Sequence, residues 1–142
     1  MPHNSITRLR LRSIFTLPAF VRETRAISAQ CSVSAGFLGG AVLAEGRLVF
    51  WTRSVWADID AMKAFRDSGA HRESMPKLMN WCDEASVVQW EGEPEADWDA
   101  IYARLVAHGR LSRVKNPTKA HTEKHYAKLM RWAPEQPIPV GK

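Results

Sequence analysis

Two apolar segments flanking Glu45-Gly46 constrain the fold of this chain more than any other feature. Phe37-Leu-Gly-Gly-Ala-Val-Leu43 and Leu48-Val-Phe-Trp-Thr-Arg-Ser-Val-Trp56 have the β-branched and aromatic content of strands, and the Glu-Gly pair between them suits the turn of an antiparallel hairpin. Successive strand residues point to opposite faces. Phe50 and Trp51 therefore cannot both meet the same layer. A sheet with one solvated face would alternate apolar and polar residues, whereas these strands carry large apolar groups on both sides. Both faces of the hairpin need a cover.

The remaining elements follow from periodicity. Residues 6–15 alternate as a strand, with Leu9, Leu11 and Phe15 on one face and Arg8, Arg10 and Arg12 on the other. Beyond Pro18, residues 19–32 set Phe20, Ala26, Ile27 and Cys31 on a helical stripe, and Gly36 follows as a stop. Asp58 suits the N-cap of a helix that turns Ile59, Met62 and Phe65 inward until Gly69 interrupts it. A second short helix is expected from about Ser74, with Met75, Leu78, Met79 and Cys82 at helical spacing. Residues 84–91 form a fourth strand on Val87, Val88 and Trp90, and residues 97–108 a third helix on Trp98, Ile101, Leu105 and Val106. This βαββαβ order predicts an α+β, ferredoxin-like fold, an antiparallel sheet with helices on one face. The domain is expected over residues 1–115, and residues 116–142, basic and containing Pro134, Pro137 and Pro139, form a C-terminal arm.

That order leaves the second face of the sheet open. Either another subunit covers it or the helix over 97–108 wraps around, and a single helix is narrow for the area. Burying an aromatic or branched side chain is worth about 1.5–3 kcal/mol before association costs are subtracted. The expectation is a two-fold, sheet-to-sheet homodimer forming a dimeric α+β barrel.

Composition sets outer limits. At 142 residues, 45% hydrophobic and 25% charged, the chain is an ordinary globular domain. No apolar run reaches the roughly eighteen residues of a membrane span, and the N-terminus lacks a leader's apolar core, so a cytoplasmic location is expected. Cys31 and Cys82 are too few for a disulfide scaffold and read as structural thiols. The net charge of +5 gathers at Arg8, Arg10, Arg12 and from Arg104 onward, without a helix-turn-helix, zinc-finger or RNP pattern. A basic surface or an anionic small ligand explains it better than nucleic acid.

Three segments carry a resemblance: FWTRSVW at 50–56, AMKAF at 61–65 and SGAH at 68–71. They resemble the antibiotic-biosynthesis-monooxygenase-like families of the dimeric α+β barrel superfamily, in which a strand ends in Trp, a helix follows, and a His or aromatic lies just beyond. FWTRSVW, AFRDSGAHRESMPKL and WCDEA further resemble the bacterial DUF3291 or spheroidene-monooxygenase-like family, over residues 6–114. The resemblance implies a small monooxygenase-like oxidoreductase acting on a hydrophobic aromatic or polyene molecule between sheet and helices. The superfamily also holds haem-degrading and haem-dependent enzymes and cofactor-free cyclases or isomerases, so the cofactor is either none or haem. Haem-degrading members place their ligand His where His71 stands, but the Asn of their first strand has no counterpart in ITRLRLRSIF.

His71 is the leading candidate for catalysis, as a general base or as a haem axial ligand. A packed, hydrogen-bonded histidine at a helix start is the alternative. Trp51, Trp56 and Trp81 are candidates for a substrate-binding aromatic wall, with Trp90 a fourth indole; core packing is the competing role. Arg72 could receive a carboxylate or propionate, although a residue adjacent on a helix points about 100° away from His71. Asp83 and Glu84 could serve as acid or base if buried, Cys82 lacks a local base, and Met62, Met75 and Met79 read as core. His121 and His125 stand at metal-ligand spacing if one helix carries both, but have no third ligand nearby. Gly36-Phe-Leu-Gly-Gly40 is not a nucleotide loop and suits a strand bulge. A non-catalytic module that binds a small molecule needs the same cavity without turnover.

Overall fold

The computed structural model describes residues 1–130 and 134–141. Strands β1 (His3–Leu11), β2 (Phe37–Glu45), β3 (Val49–Trp56) and β4 (Cys82–Glu91) alternate with helices α1 (Leu17–Ser32), α2 (Ile59–Arg66) and α3 (Gly69–Trp81) in the βαββαβ order. Helix α4 (Trp98–His108), β5 (Arg110–Leu111), α5 (Lys119–Thr122) and β6 (Gln136–Ile138) follow. The strands form one six-stranded antiparallel sheet in the order β5-β4-β1-β3-β2-β6. Its middle four strands are the ferredoxin-like arrangement read from the sequence. No helix among the described residues is long and apolar enough to cross a membrane.

Local chemistry explains where the elements start and stop. Asp58 caps α2, its side chain accepting the Ala61 N–H at 2.8 Å. β1 ends at Leu11 rather than continuing to Phe15, because Ser13 caps a single 3₁₀ turn over Ile14–Thr16 by accepting the Phe15 N–H. Phe15, expected on the inward face, is 91% exposed. α3 starts at Gly69 and not at Ser74. Gly69 takes φ +56° there, and a side chain in its place would press on Gln30, so glycine permits the tight junction that brings His71 into the first turn of α3.

Register assigns each residue to a face. Ile6 lies opposite Arg53 and Val88, and Thr7 opposite Thr52 and Val87. Helices α1, α2 and α3 lie on the Thr7 face. There Phe20 and Leu78 pack with Leu11, Cys82 and Ala85. The Ile6 face, from which a second subunit was expected, is covered within the chain. Trp98, Ile101 and Leu105 of α4, with Tyr126 and Leu129 from the arm, pack on Ile6, Leu43, Trp51 and Val88. Glu45 ties the arm down, accepting the Met130 N–H at 2.7 Å and the Trp51 indole N–H at 3.0 Å. Glu135 meets Arg53 and the Trp98 indole, and β6 pairs with the β2 edge. The helix over 97–108 does wrap around, and the segment read as a separate arm supplies the width that one helix lacks.

Candidate functional site

The Thr7 face is not filled. Between it and α1–α3 lies a cavity of about 280 Å³, walled by Phe20, Ile27, Phe50 and Met75. Its floor is polar. Ser5 pairs with Ser54 and Thr7 with Thr52 on the two central strands, so four hydroxyls form a patch where a sheet-on-helix core would carry Val or Ile. The Ser54 hydroxyl accepts the Trp56 indole N–H at 2.9 Å. An indole only donates, so the Ser54 hydrogen remains free to donate. Gln89 approaches the Ser5 hydroxyl at 3.4 Å, a weaker version of the same arrangement.

His71 lines this cavity. Its Nδ1 lies 3.0 Å from the Arg66 carbonyl, which can only accept, so Nδ1 carries the hydrogen and Nε2 the lone pair. Burial disfavours the imidazolium and holds the pKa below the ordinary histidine value; the bond to the Arg66 carbonyl opposes that, and the Arg66 guanidinium adds to it. Gln30 of α1 fixes the position, its Oε1 accepting the His71 backbone N–H at 2.8 Å and its Nε2 donating to the Phe65 and Ser68 carbonyls. The Phe65 ring packs on the imidazole with centroids 5.0 Å apart. The result is a neutral, positioned base beside an apolar cavity with hydroxyl donors.

The other candidates are placed elsewhere. Trp51, expected in the wall, is on the opposite face of the sheet in the α4 core, because the period of two sends it there when Phe50 faces the cavity. Trp56 is fully buried behind Phe65, with ring centroids 5.0 Å apart, and reaches the site only through Ser54 and Phe65. Trp81 packs at the end of α3 with the Leu11 cluster, and Trp90 lies under Arg104. None of the four is a cavity wall, which Phe20 and Phe50 form instead. Arg72 is exposed. Asp83 pairs with Arg10 at 2.6 Å and Glu84 with Arg8 at 2.7 Å, and the Arg8 guanidinium lies over Trp51; these carboxylates neutralise the strand arginines. Burial pushes the Cys82 and Cys31 thiols up to about 12, so neither is a thiolate nucleophile. Met62, Met75 and Met79 line the cavity. His121 is buried and accepts the Ala85 N–H, and α5 ends at Thr122, so His125 does not share a helix face with it. No group of three metal-ligating side chains occurs among the described residues.

The residues offer a haem little, since the cavity of about 280 Å³ sits at the small end of ligand pockets. The lining guanidinium nearest His71 in sequence, Arg66, is already engaged by Asp67.

The hydroxyl floor and Gln30 escaped the sequence reading. The floor left a signal, polar residues at alternate positions in Ser5-x-Thr7 and Thr52-x-Ser54 on strands that pair. Gln30 left none, because its role depends on the tertiary approach of α1 to the α2–α3 junction.

No family model matches the chain, and no curated protein matches it in sequence. Solved structures share its fold. A mutant form of SnoaB, a cofactor-independent oxygenase from Streptomyces nogalater, matches with a TM-score of 0.56 at 14% identity, over 66% of this chain and 95% of its own. A structure described as an antibiotic biosynthesis monooxygenase matches at 0.59 and 12% identity, over 65% and 99%. Rv0793 from Mycobacterium tuberculosis matches at 0.60 and 13%, over 68% and 100%. At such identities the likeness is one of fold alone, the α+β architecture described above.

Proposed function

We propose that the protein is a small, cofactor-independent monooxygenase-like oxidoreductase that takes a hydrophobic, phenol- or enol-bearing molecule into this cavity, with His71 as general base. The observation that carries the reading is the tautomer of His71: Nδ1–H is held by the Arg66 carbonyl, leaving Nε2 as the basic atom of a cavity-lining imidazole. Proton removal from a phenol or enol leaves an electron-rich anion that adds to dioxygen as a peroxide. The O–O bond then breaks as water leaves, so that SH2 + O2 gives SO + H2O, with one oxygen atom kept in the product and all four electrons supplied by the substrate. The free hydroxyl hydrogens of the floor are suited to hold the resulting oxyanion. The fold shared with a cofactor-independent oxygenase supports this chemistry. The resemblance to the DUF3291 or spheroidene-monooxygenase-like family adds a polyene as an alternative apolar substrate.

The test is a panel of phenols, quinols and polyenes, assayed for turnover together with oxygen uptake. His71→Ala and His71→Gln should each lower kcat by roughly 10²- to 10⁴-fold, the usual contribution of a positioned base. Unchanged turnover in both variants would remove His71 from the mechanism. Turnover without oxygen uptake would replace oxygenation by cyclisation or isomerisation on the same base.

A further inference from the structure

We propose that the end of the molecule bearing Ile14 and Phe15 is a docking tip for an anionic membrane surface. The inference is independent of the chemistry assigned to His71. Phe15 is 91% exposed and Ile14 40% exposed, side by side on the 3₁₀ turn between β1 and α1. A large aromatic held this far out of its own core is an uncommon expense in a domain that buries Trp51 and Trp56 completely. Neither residue lines a described cavity.

Backbone hydrogen bonds gather cations around this turn. The Arg12 N–H donates to the Trp81 carbonyl and the Lys115 N–H to the Met79 carbonyl, so both residues sit on the last turn of α3. The Leu11 N–H donates to the Leu48 carbonyl, which brings Arg47 alongside Arg12. Arg113 is exposed, two residues before Lys115 and next to buried Val114. Arg12, Arg47, Arg113 and Lys115 are all exposed, and none has a salt-bridge partner among the described residues. The carboxylates of this end are taken: Asp83 by Arg10, Glu84 by Arg8 and Thr118, and Glu45 by Trp51 and Met130.

An apolar wedge ringed by unpaired cations matches the acyl boundary and the anionic headgroups of a bilayer at once. A second copy of the chain is disfavoured, since a two-fold contact would set each cation near its like. Nucleic acid would use Phe15 for stacking but has no use for the aliphatic Ile14 beside it. Docking here also has a consequence for the cavity. Phe20, in the first turn of α1 beyond the tip, is one of its walls, so a hydrophobic ligand dissolved in the bilayer would meet the protein at that end.

Co-sedimentation with vesicles tests the proposal. The intact chain should pellet with vesicles of one part phosphatidylglycerol to two parts phosphatidylcholine at low salt, stay in solution with pure phosphatidylcholine, and be released by high salt. Phe15→Ser should weaken binding about tenfold or more, and Arg12→Glu and Arg47→Glu about fivefold or more each. All three side chains are solvent-facing, so the variants should keep the parent's circular dichroism and melting temperature. Absence of binding to the anionic vesicles, or binding untouched by Phe15→Ser and Arg12→Glu, would overturn the proposal. So would an oligonucleotide bound more tightly than the vesicles and indifferent to Phe15→Ser, which would assign the patch to nucleic acid.

Discussion

Truncating Leu129 to Ala isolates the work of the C-terminal arm. Leu129 is 8% exposed and closes the cluster formed by Ile6, Trp51, Val88, Ile101 and Leu105. A buried Leu→Ala change costs about 2–5 kcal/mol, the spread reflecting how far the surroundings collapse into the space. The arm has no regular structure between α5 and Met130, where Glu45 holds it, so it can settle inward. For Leu129→Ala about 2–3 kcal/mol is expected. Leu105 is wholly buried on the regular helix α4, and its truncation should cost about 3–5 kcal/mol. Against a total stability of about 5–15 kcal/mol, both should appear as lowered urea midpoints at unchanged slope. Because the arm and α4 cover the face that would otherwise call for a partner, light scattering should give the intact chain its single-chain mass of 16.0 kDa. Removing residues 116–142 should make it self-associate. A midpoint unmoved by Leu129→Ala, with the intact chain running as a dimer, would refute the reasoning and return that face to a second subunit.

Other outcomes follow from the site and its scaffold. Burial lowers the His71 pKa in the folded state, so its neutral form is native-compatible above about 6.5, and stability should be lost as pH falls from there through the folded value. His71→Gln should flatten that part of the urea stability profile, and an identical profile would show that the imidazole is not desolvated. Gly36 has φ +82°, and an added Cβ would stand 2.6 Å from the Ala61 Cβ. Gly36→Ala should therefore cost about 1–3 kcal/mol in the same assay, and a neutral result would mean that the β2 entry is not tight. With both thiols pushed up to about 12, Cys31 and Cys82 should resist an aromatic disulfide reagent at neutral pH until the protein unfolds; prompt reaction of either would reveal a thiolate.

Much of the scaffold was legible because its signals are local. The β-branched and aromatic content of FLGGAVL and LVFWTRSVW, the turn at Glu45-Gly46 and the Asp58 cap each act within a few residues, and each element they predict is present. What misled were local signals that tertiary structure overrides. Ile14 and Phe15 continue the apolar pattern of β1, yet the Ser13 cap turns them out of the sheet. Gly69 reads as a helix breaker, yet it opens α3 and sets His71 in the first turn. The prolines of residues 134–139 suggest a free arm, but Tyr126, Leu129 and Ile138 are each buried. Sparse apolar residues without a period look like linker until the surface they cover is known.

The two faces of the sheet carry different burdens, and this explains why the site was harder to read than the fold. The Ile6 face carries the main core, with Trp51, Ile101 and Leu105 fully buried, while the Arg8–Glu84 pair lines a second, more open cavity beneath the arm with His125 and Met130. The Thr7 face carries Ser5, Thr7, Thr52 and Ser54 in place of Val or Ile and leaves space above them. A hollow of this kind forgoes dispersion contacts that a filled core would make, so most of the apolar stabilisation must come from the other side of the sheet and from the ends of the helices. Of the residues that announce themselves in the sequence, Trp51 and Trp98 serve that stabilising side, while Trp56 and Trp81 pack at the ends of the helical layer. The residues that floor the cavity are small and polar, and they acquire meaning only once pairing brings them together. His71 was conspicuous for its chemistry, but its basic nitrogen depends on a backbone carbonyl at Arg66 and an amide from α1, neither of which a reading of side chains in order can supply.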